Sequence, residues 1–83
     1  MIGEAIQSDT LKALVSQHAV REVVVGRVAG TDSKWTLSIR LGGPTARLLP
    51  VRSRREPLRT WSSLTAVGRF AEAVGLTGFS VEL

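Results

Sequence analysis

Apolar residues recur along this 83-residue chain with two different periods, which divide it into helices and strands. The helical period comes first. Four residues fall at that spacing after capping residues that begin at Ser8: Leu11, Leu14, Val15 and His18. They predict a short amphipathic helix over residues 8–18, with Asp9 near its amino end, where the helix dipole favours negative charge.

The strand period is clearest over residues 35–41, where Trp35, Leu37, Ile39 and Leu41 alternate with polar residues. Such alternation is typical of a half-buried strand in an antiparallel hairpin. The β-branched run over residues 22–28 predicts its partner, and the polar residues 30–33 supply the turn between the two strands.

The second half of the chain contains two poorer strands and a second helix. Residues 46–51 predict an edge strand, because Pro50 cannot donate a hydrogen bond to a ladder. Residues 58–61 should be extended and lead to Ser62 and Ser63, which cap a helix that ends near Val74 before Gly75. Its apolar positions are at helical spacing: Leu64, Val67, Ala71 and Val74, with Phe70 on the flank. Residues 79–83 predict a final strand.

The resulting order, α-β-β-β-α-β, predicts one α+β domain over residues 1–83, with a small, mainly antiparallel sheet covered by two helices. This order fits neither a ribbon-helix-helix nor a helix-turn-helix plan. A chain of this length buries only about 60% of its unfolded surface, so we expect it to dimerise. We predict an intertwined or strand-exchanged homodimer, in which residues 79–83 are a candidate for the exchanged segment.

Composition excludes several kinds of chemistry. The chain has no cysteine and one histidine, His18, and its acidic residues are scattered. Disulfides, thiolate metal sites and thiol nucleophiles are therefore excluded, and no motif supports a metal site, a cofactor site or a catalytic triad. We predict neither an enzyme nor a cofactor. Without disulfides, an export signal or a long apolar run, we expect a cytoplasmic protein that makes no membrane contact.

The net charge of +4 belongs to one segment, residues 47–59. That segment holds five arginines against the single acid Glu56, and the six basic and six acidic residues elsewhere cancel. The predicted DNA-binding residues are these arginines: Arg47, Arg52, Arg54, Arg55 and Arg59. A guanidinium matches phosphate geometry better than an ammonium does, and clustered arginines are typical of nucleic-acid binding.

The arginine cluster also has three simpler interpretations, which stay open. A GC-rich genome favours arginine codons, an exposed loop gains solubility from charge, and Arg55 can pair with Glu56.

The two tryptophans also have alternative roles. Trp61 stands before the second helix and should pack on it, whereas Trp35 is expected in the core or a dimer interface, with base stacking as the alternative.

Residues 45–83 also carry a family resemblance. Its elements are the run RSRREPLRTWSSL from Arg52, then Ala66, Arg69 with Phe70, Gly75 with Leu76, and FSVEL from Phe79. This half resembles the small ParC-like proteins associated with partition operons on plasmids and integrative elements of proteobacteria. The resemblance implies a plasmid or mobile-element accessory protein that acts on DNA or beside a partition ATPase.

Together these observations predict a dimeric DNA-binding accessory protein in plasmid partition, maintenance or regulation, whose arginine segment contacts the phosphate backbone. The alternative is a protein–protein adaptor in a partition or regulatory complex, with a basic loop that docks an acidic partner and no direct DNA contact.

Overall fold

The computed structural model describes residues 5–28, 30, 34–43 and 45–82. The elements are α1 (Ser8–Ser16), β1 (Glu22–Arg27), β2 (Trp35–Arg40), β3 (Leu49–Pro50), α2 (Leu64–Val74) and β4 (Ser80–Glu82). The predicted α+β class and element order are confirmed. Most of the predicted turn before β2, residues 31–33, and the predicted strand end at Leu83 lie outside the described residues.

The four strands form one mixed sheet in the order β3-β2-β1-β4. The hairpin of β1 and β2 is antiparallel, with Val25 opposite Leu37, and β3 continues the antiparallel pairing on β2. In contrast, β4 lies parallel to β1 on the other side. The strand predicted over residues 46–51 is shorter than expected but does lie at a sheet edge, as Pro50 indicated.

Ile6 partly covers that edge. Its N–H donates to the Pro50 carbonyl at 2.9 Å, and its carbonyl accepts from the Arg52 N–H at 2.7 Å. Only the carbonyl of Pro50 takes part in the pairing with Ile6. The missing N–H of the proline therefore costs no hydrogen bond at this edge.

The core lies between one face of the sheet and the two helices. Its buried residues come from α1, β1, β2 and α2 and from two residues of the segment between β3 and α2: Leu11, Val25, Leu37, Ile39, Val51, Trp61, Val67 and Val74. The predicted faces of β2 and α2 are confirmed except at Leu64, which is exposed. In the part of the chain that the structure describes, no helix is long and apolar enough to cross a membrane.

Both ends of α2 follow the prediction. The Ser63 side chain accepts a hydrogen bond from the Ala66 N–H at 3.1 Å, which satisfies one of the free donors of the first turn. Gly75 adopts a left-handed conformation with φ 95°, and the next N–H, that of Leu76, returns to the Ala71 carbonyl. A Cβ on Gly75 would lie 3.2 Å from Val15 Cγ1 of α1, so glycine also permits this close approach of the helices.

The helix α1 begins at Ser8 as predicted, but its cap and its carboxyl end differ from the prediction. The cap is Gln7 rather than Ser8, because the Gln7 carbonyl accepts the first helical bond, and the Gln7 side chain makes no capping bond. The helix ends at Ser16 instead of continuing to His18. His18 takes a left-handed conformation with φ 57°, and the next N–H, that of Ala19, returns to the Leu14 carbonyl. This is the same terminus as in α2, with histidine in the place of glycine.

That difference in residue type predicts a stabilising change. His18→Gly should raise the free energy of unfolding by roughly 0.5–1 kcal/mol, because a side chain in the left-handed region is strained and glycine is not. Gly75→Ala is the matched control and should lower it, since alanine would bring both the strain and the Val15 contact. Urea unfolding measures both; equal or lower stability of His18→Gly contradicts the assignment.

Candidate nucleic-acid interface

The edge strand that pairs with β2 is interrupted. Pro50 pairs with Ser38, and the Val51 N–H donates to the Leu37 carbonyl at 3.0 Å. Continuous antiparallel pairing would then bring residue 53 opposite Trp35. Trp61 stands there instead, eight residues further along the chain. The chain therefore leaves the sheet after Val51 and returns to it at Trp61, and we call residues 52–60 the arginine excursion.

Both ends of the arginine excursion are fixed in the core. Val51 is fully buried and Trp61 is 7% exposed. Trp61 exchanges two hydrogen bonds with Trp35, of 2.8 and 2.9 Å, and the Arg59 N–H donates to the Val51 carbonyl at 2.9 Å across the base of the excursion. This base is therefore closed by backbone bonds and held by two buried side chains, unlike that of a free loop.

The tip of the arginine excursion is a tight turn. The Ser53 N–H donates to the Glu56 carbonyl at 3.1 Å, and the Glu56 N–H donates to the Ser53 hydroxyl at 3.0 Å. A serine side chain that accepts from a following backbone N–H is a common way to stabilise such turns. Arg54 and Arg55 lie at the centre of the turn, and both are exposed. The structure shows no ion pair between Arg55 and Glu56, so it does not support their predicted alternative pairing.

Arg59 lies at the base of the excursion in an aromatic contact. Its guanidinium carbon is 4.9 Å from the centre of the Trp61 ring and 4.8 Å from that of the Phe70 ring. The two rings are tilted by 48° with their centres 5.0 Å apart. These three distances form a nearly equilateral triangle, within the range of favourable cation–π contacts. The prediction that Trp61 packs on α2 is confirmed, since Phe70 belongs to that helix.

A second arginine–tryptophan contact lies in the same row of the sheet. Arg27 at the end of β1 is directly opposite Trp35, and its guanidinium carbon lies 5.2 Å from the centre of the Trp35 ring. Trp35 is half-buried, and it is in turn opposite Trp61. Arg27, Trp35 and Trp61 therefore lie side by side across the sheet, and Arg59 contacts the Trp61 ring. The two tryptophans thus lie between two cations. Sequence reasoning missed Arg27, which only the hairpin register brings to this position.

The fold separates the five arginines that form one cluster in the sequence. Arg47 is exposed in the loop before β3, at the end of that strand opposite to the excursion. Arg52 is half-buried, and its Nε donates to the Ser53 carbonyl. Arg59 is held by the two rings. Of the five, Arg54 and Arg55 are therefore the pair that the excursion presents together to solvent.

The excursion end of the sheet carries several exposed cations, and the exposed acids Glu56 and Glu82 lie there as well. Arg27 and Lys34 lie beside Trp35 and are exposed, and α2, which begins just after the excursion, has no acidic residue in its first turn. At the opposite end, Arg40 Nε lies 2.7 Å from Glu22 Oε1, and Arg21 and Arg47 are exposed. The exposed cations at the excursion end are of the kind that attracts anions.

Chemical modification should rank the arginines by this geometry. With a dicarbonyl reagent that attacks guanidinium groups, we expect Arg54 and Arg55 to react several-fold faster than Arg59, whose guanidinium lies against both rings. Peptide mass spectrometry of the briefly treated protein measures the modification of each residue. The urea-unfolded chain is the control and should remove the difference. Equal rates in the folded protein would contradict the ring contact.

The chain was compared with protein-family models, curated proteins and solved structures. No protein-family model matches, no curated protein matches, and no solved structure matches.

Proposed function

We propose that the chain is a dimeric DNA-binding accessory protein that contacts the phosphate backbone through the arginine excursion. One observation carries the proposal: Arg54 and Arg55 are exposed together on a tight turn whose base is fixed in the core. A guanidinium can form two parallel hydrogen bonds with a phosphate, which makes adjacent exposed arginines suited to a polyanion.

The fixed base of the excursion supports this function energetically. A disordered basic loop loses conformational entropy when it binds, whereas a turn already closed by its own hydrogen bonds loses less. The tip residues Ser53 and Glu56 are both used in closing the turn. We therefore propose contacts that are mainly to phosphates, with little direct reading of bases.

A homodimer is part of the proposal, because two tip arginines on each chain make few phosphate contacts. The edge of β4 supports it: β4 pairs with β1 on one side, the described residues place no strand on its other side, and Val81 is 40% exposed. Antiparallel pairing of two β4 strands would separate the two β3 strands by seven strand spacings, about 34 Å. The two excursions would then lie near opposite corners of the eight-stranded sheet, because antiparallel pairing reverses the strand direction of the partner.

The partition setting is also proposed, and it rests on the resemblance of residues 45–83 to the ParC-like proteins. It implies that the DNA belongs to a plasmid or mobile element and that a partition ATPase is a candidate partner.

A salt titration tests the DNA contact. The logarithm of the binding constant for a short duplex, plotted against that of the salt concentration from about 50 to 200 mM, has a slope of about −0.9 for each phosphate contacted. The double variant Arg54→Ala with Arg55→Ala should weaken binding and make the slope shallower by about 0.9 for each phosphate that the variant no longer reaches. Fluorescence anisotropy of a labelled duplex measures both quantities.

The matched control is Lys12→Ala with Arg21→Ala, which removes the same charge from exposed positions away from the excursion. It should leave the slope nearly unchanged. Equal effects of the two double variants would mean that net charge alone attracts DNA. If the unaltered protein does not bind DNA at the lowest salt, the proposal is wrong, and the adaptor function predicted from sequence becomes the stronger candidate.

Sedimentation equilibrium tests the dimer and its edge. The measured mass should be twice the 8.9 kDa of one chain. Val81→Lys should shift the equilibrium to monomers, because two lysines would meet at the paired β4 edge and like charges opposed across strands repel. The control Leu64→Lys places the same charge at a similarly exposed apolar position on α2 and should leave the dimer intact. Monomeric unaltered protein would contradict the dimer.

A further inference from the structure

We infer that Arg59 is a positioning residue, which holds the arginine excursion in place through the Trp61 and Phe70 rings while Arg54 and Arg55 contact the anion. The inference rests on the proposed function for the identity of the anion. It assigns different roles to arginines that sequence alone treats as equivalent.

The two rings belong to different parts of the fold. Trp61 is the residue at which the edge strand resumes on β2, and Phe70 lies in the middle of α2. A single guanidinium in contact with both therefore links the base of the excursion to the sheet and to the helix. Because the Arg59 N–H is bonded to the Val51 carbonyl, the backbone of this residue is held as well as its side chain.

The chemistry of the guanidinium fits this role. It is planar and less strongly hydrated than an ammonium, so it can lie against aromatic faces at a smaller cost in lost hydration. Among the residues that the structure describes, none forms an ion pair with Arg59, and the two rings are the contacts that stabilise its charge. Arg59 lies against both rings, whereas the exposed side chains of Arg54 and Arg55 have no ring or ion-pair partner among those residues.

Removal of the ring contact should therefore loosen the excursion. The opening that exposes the Ser53 and Glu56 amides to exchange would become more frequent, because one of the interactions that hold the base is gone. The exposed tip of a looser excursion would then be ordered only on binding, which lowers affinity without removing a phosphate contact.

The experiment compares methionine substitutions at two positions. Arg59→Met and Arg54→Met each remove one charge and keep an unbranched apolar stem. Amide hydrogen exchange followed by NMR reports the order of the excursion without any DNA. The anisotropy titration of the duplex reports the slope. We expect Arg59→Met to speed exchange at Ser53 and Glu56 by about 3- to 10-fold and to leave the salt slope unchanged. We expect Arg54→Met to leave exchange unchanged and to make the slope shallower by about 0.9.

Arg59→Lys is the second variant, in case methionine disturbs folding. It retains the charge, so a phosphate contact would largely survive, but it replaces the planar group that lies against the rings. We expect faster exchange at the same two amides with an unchanged slope. Exchange in β2 is the internal control for global stability and should not change with the excursion.

The opposite pattern would overturn the inference: a slope shallower by about 0.9 in Arg59→Met with no change in exchange assigns Arg59 to phosphate. Unchanged exchange in both Arg59 variants also rejects the positioning role. If the unaltered protein does not bind DNA, the proposed function fails, but the exchange comparison still decides whether Arg59 positions the excursion.

Discussion

The paired hydrogen bonds between Trp35 and Trp61 are the constraint on which the rest of this structure depends. They complete the ladder on the outer side of β2, from which the chain departs after Val51. Because residue 61 occupies the place that residue 53 would take in continuous pairing, the residues between must project from the sheet. The same bonds hold the buried Trp61 in place and set the chain direction from which α2 begins three residues later.

Sequence predicts those parts of the fold in which the pattern is local. The alternation of residues 35–41 and the Ser63 and Gly75 caps of α2 each determine an element from its own residues, and the structure confirms them. Pairing between distant segments is different. No residue of β4 indicates that it lies parallel to β1. Two stretches predicted separately, residues 46–51 and 58–61, contribute residues 49–51 and Trp61 to one interrupted edge. The alternation of apolar and polar residues stops in the excursion, so the sequence pattern cannot show that the two stretches belong to one edge.

The candidate site was predictable in its charge but not in its geometry. The sequence shows where the arginines occur along the chain. It does not show that Arg47 lies on the far side of β3 from the tip of the excursion. One signal was available: Arg59 and Trp61 are two residues apart in a stretch predicted to be extended, and such residues lie on the same side of the chain. The third member of the contact, Phe70, lies on a helix whose placement the sequence does not give.

An interrupted strand suits anion binding better than a loop between two elements would. The ends of an ordinary loop move with the elements they join, whereas both ends of this excursion are bonded to the same strand, β2, and cannot move apart without breaking those bonds. The rings that hold Arg59 stiffen the base further, and the arginine side chains at the tip stay free to turn toward a phosphate. Each immobilised side chain costs about 0.5–1.5 kcal/mol on binding, so a backbone ordered in advance leaves only the tip side chains to be ordered. In the proposed DNA contact, affinity should then depend on the two tip arginines, which a firmly held backbone presents, rather than on the total charge of the segment.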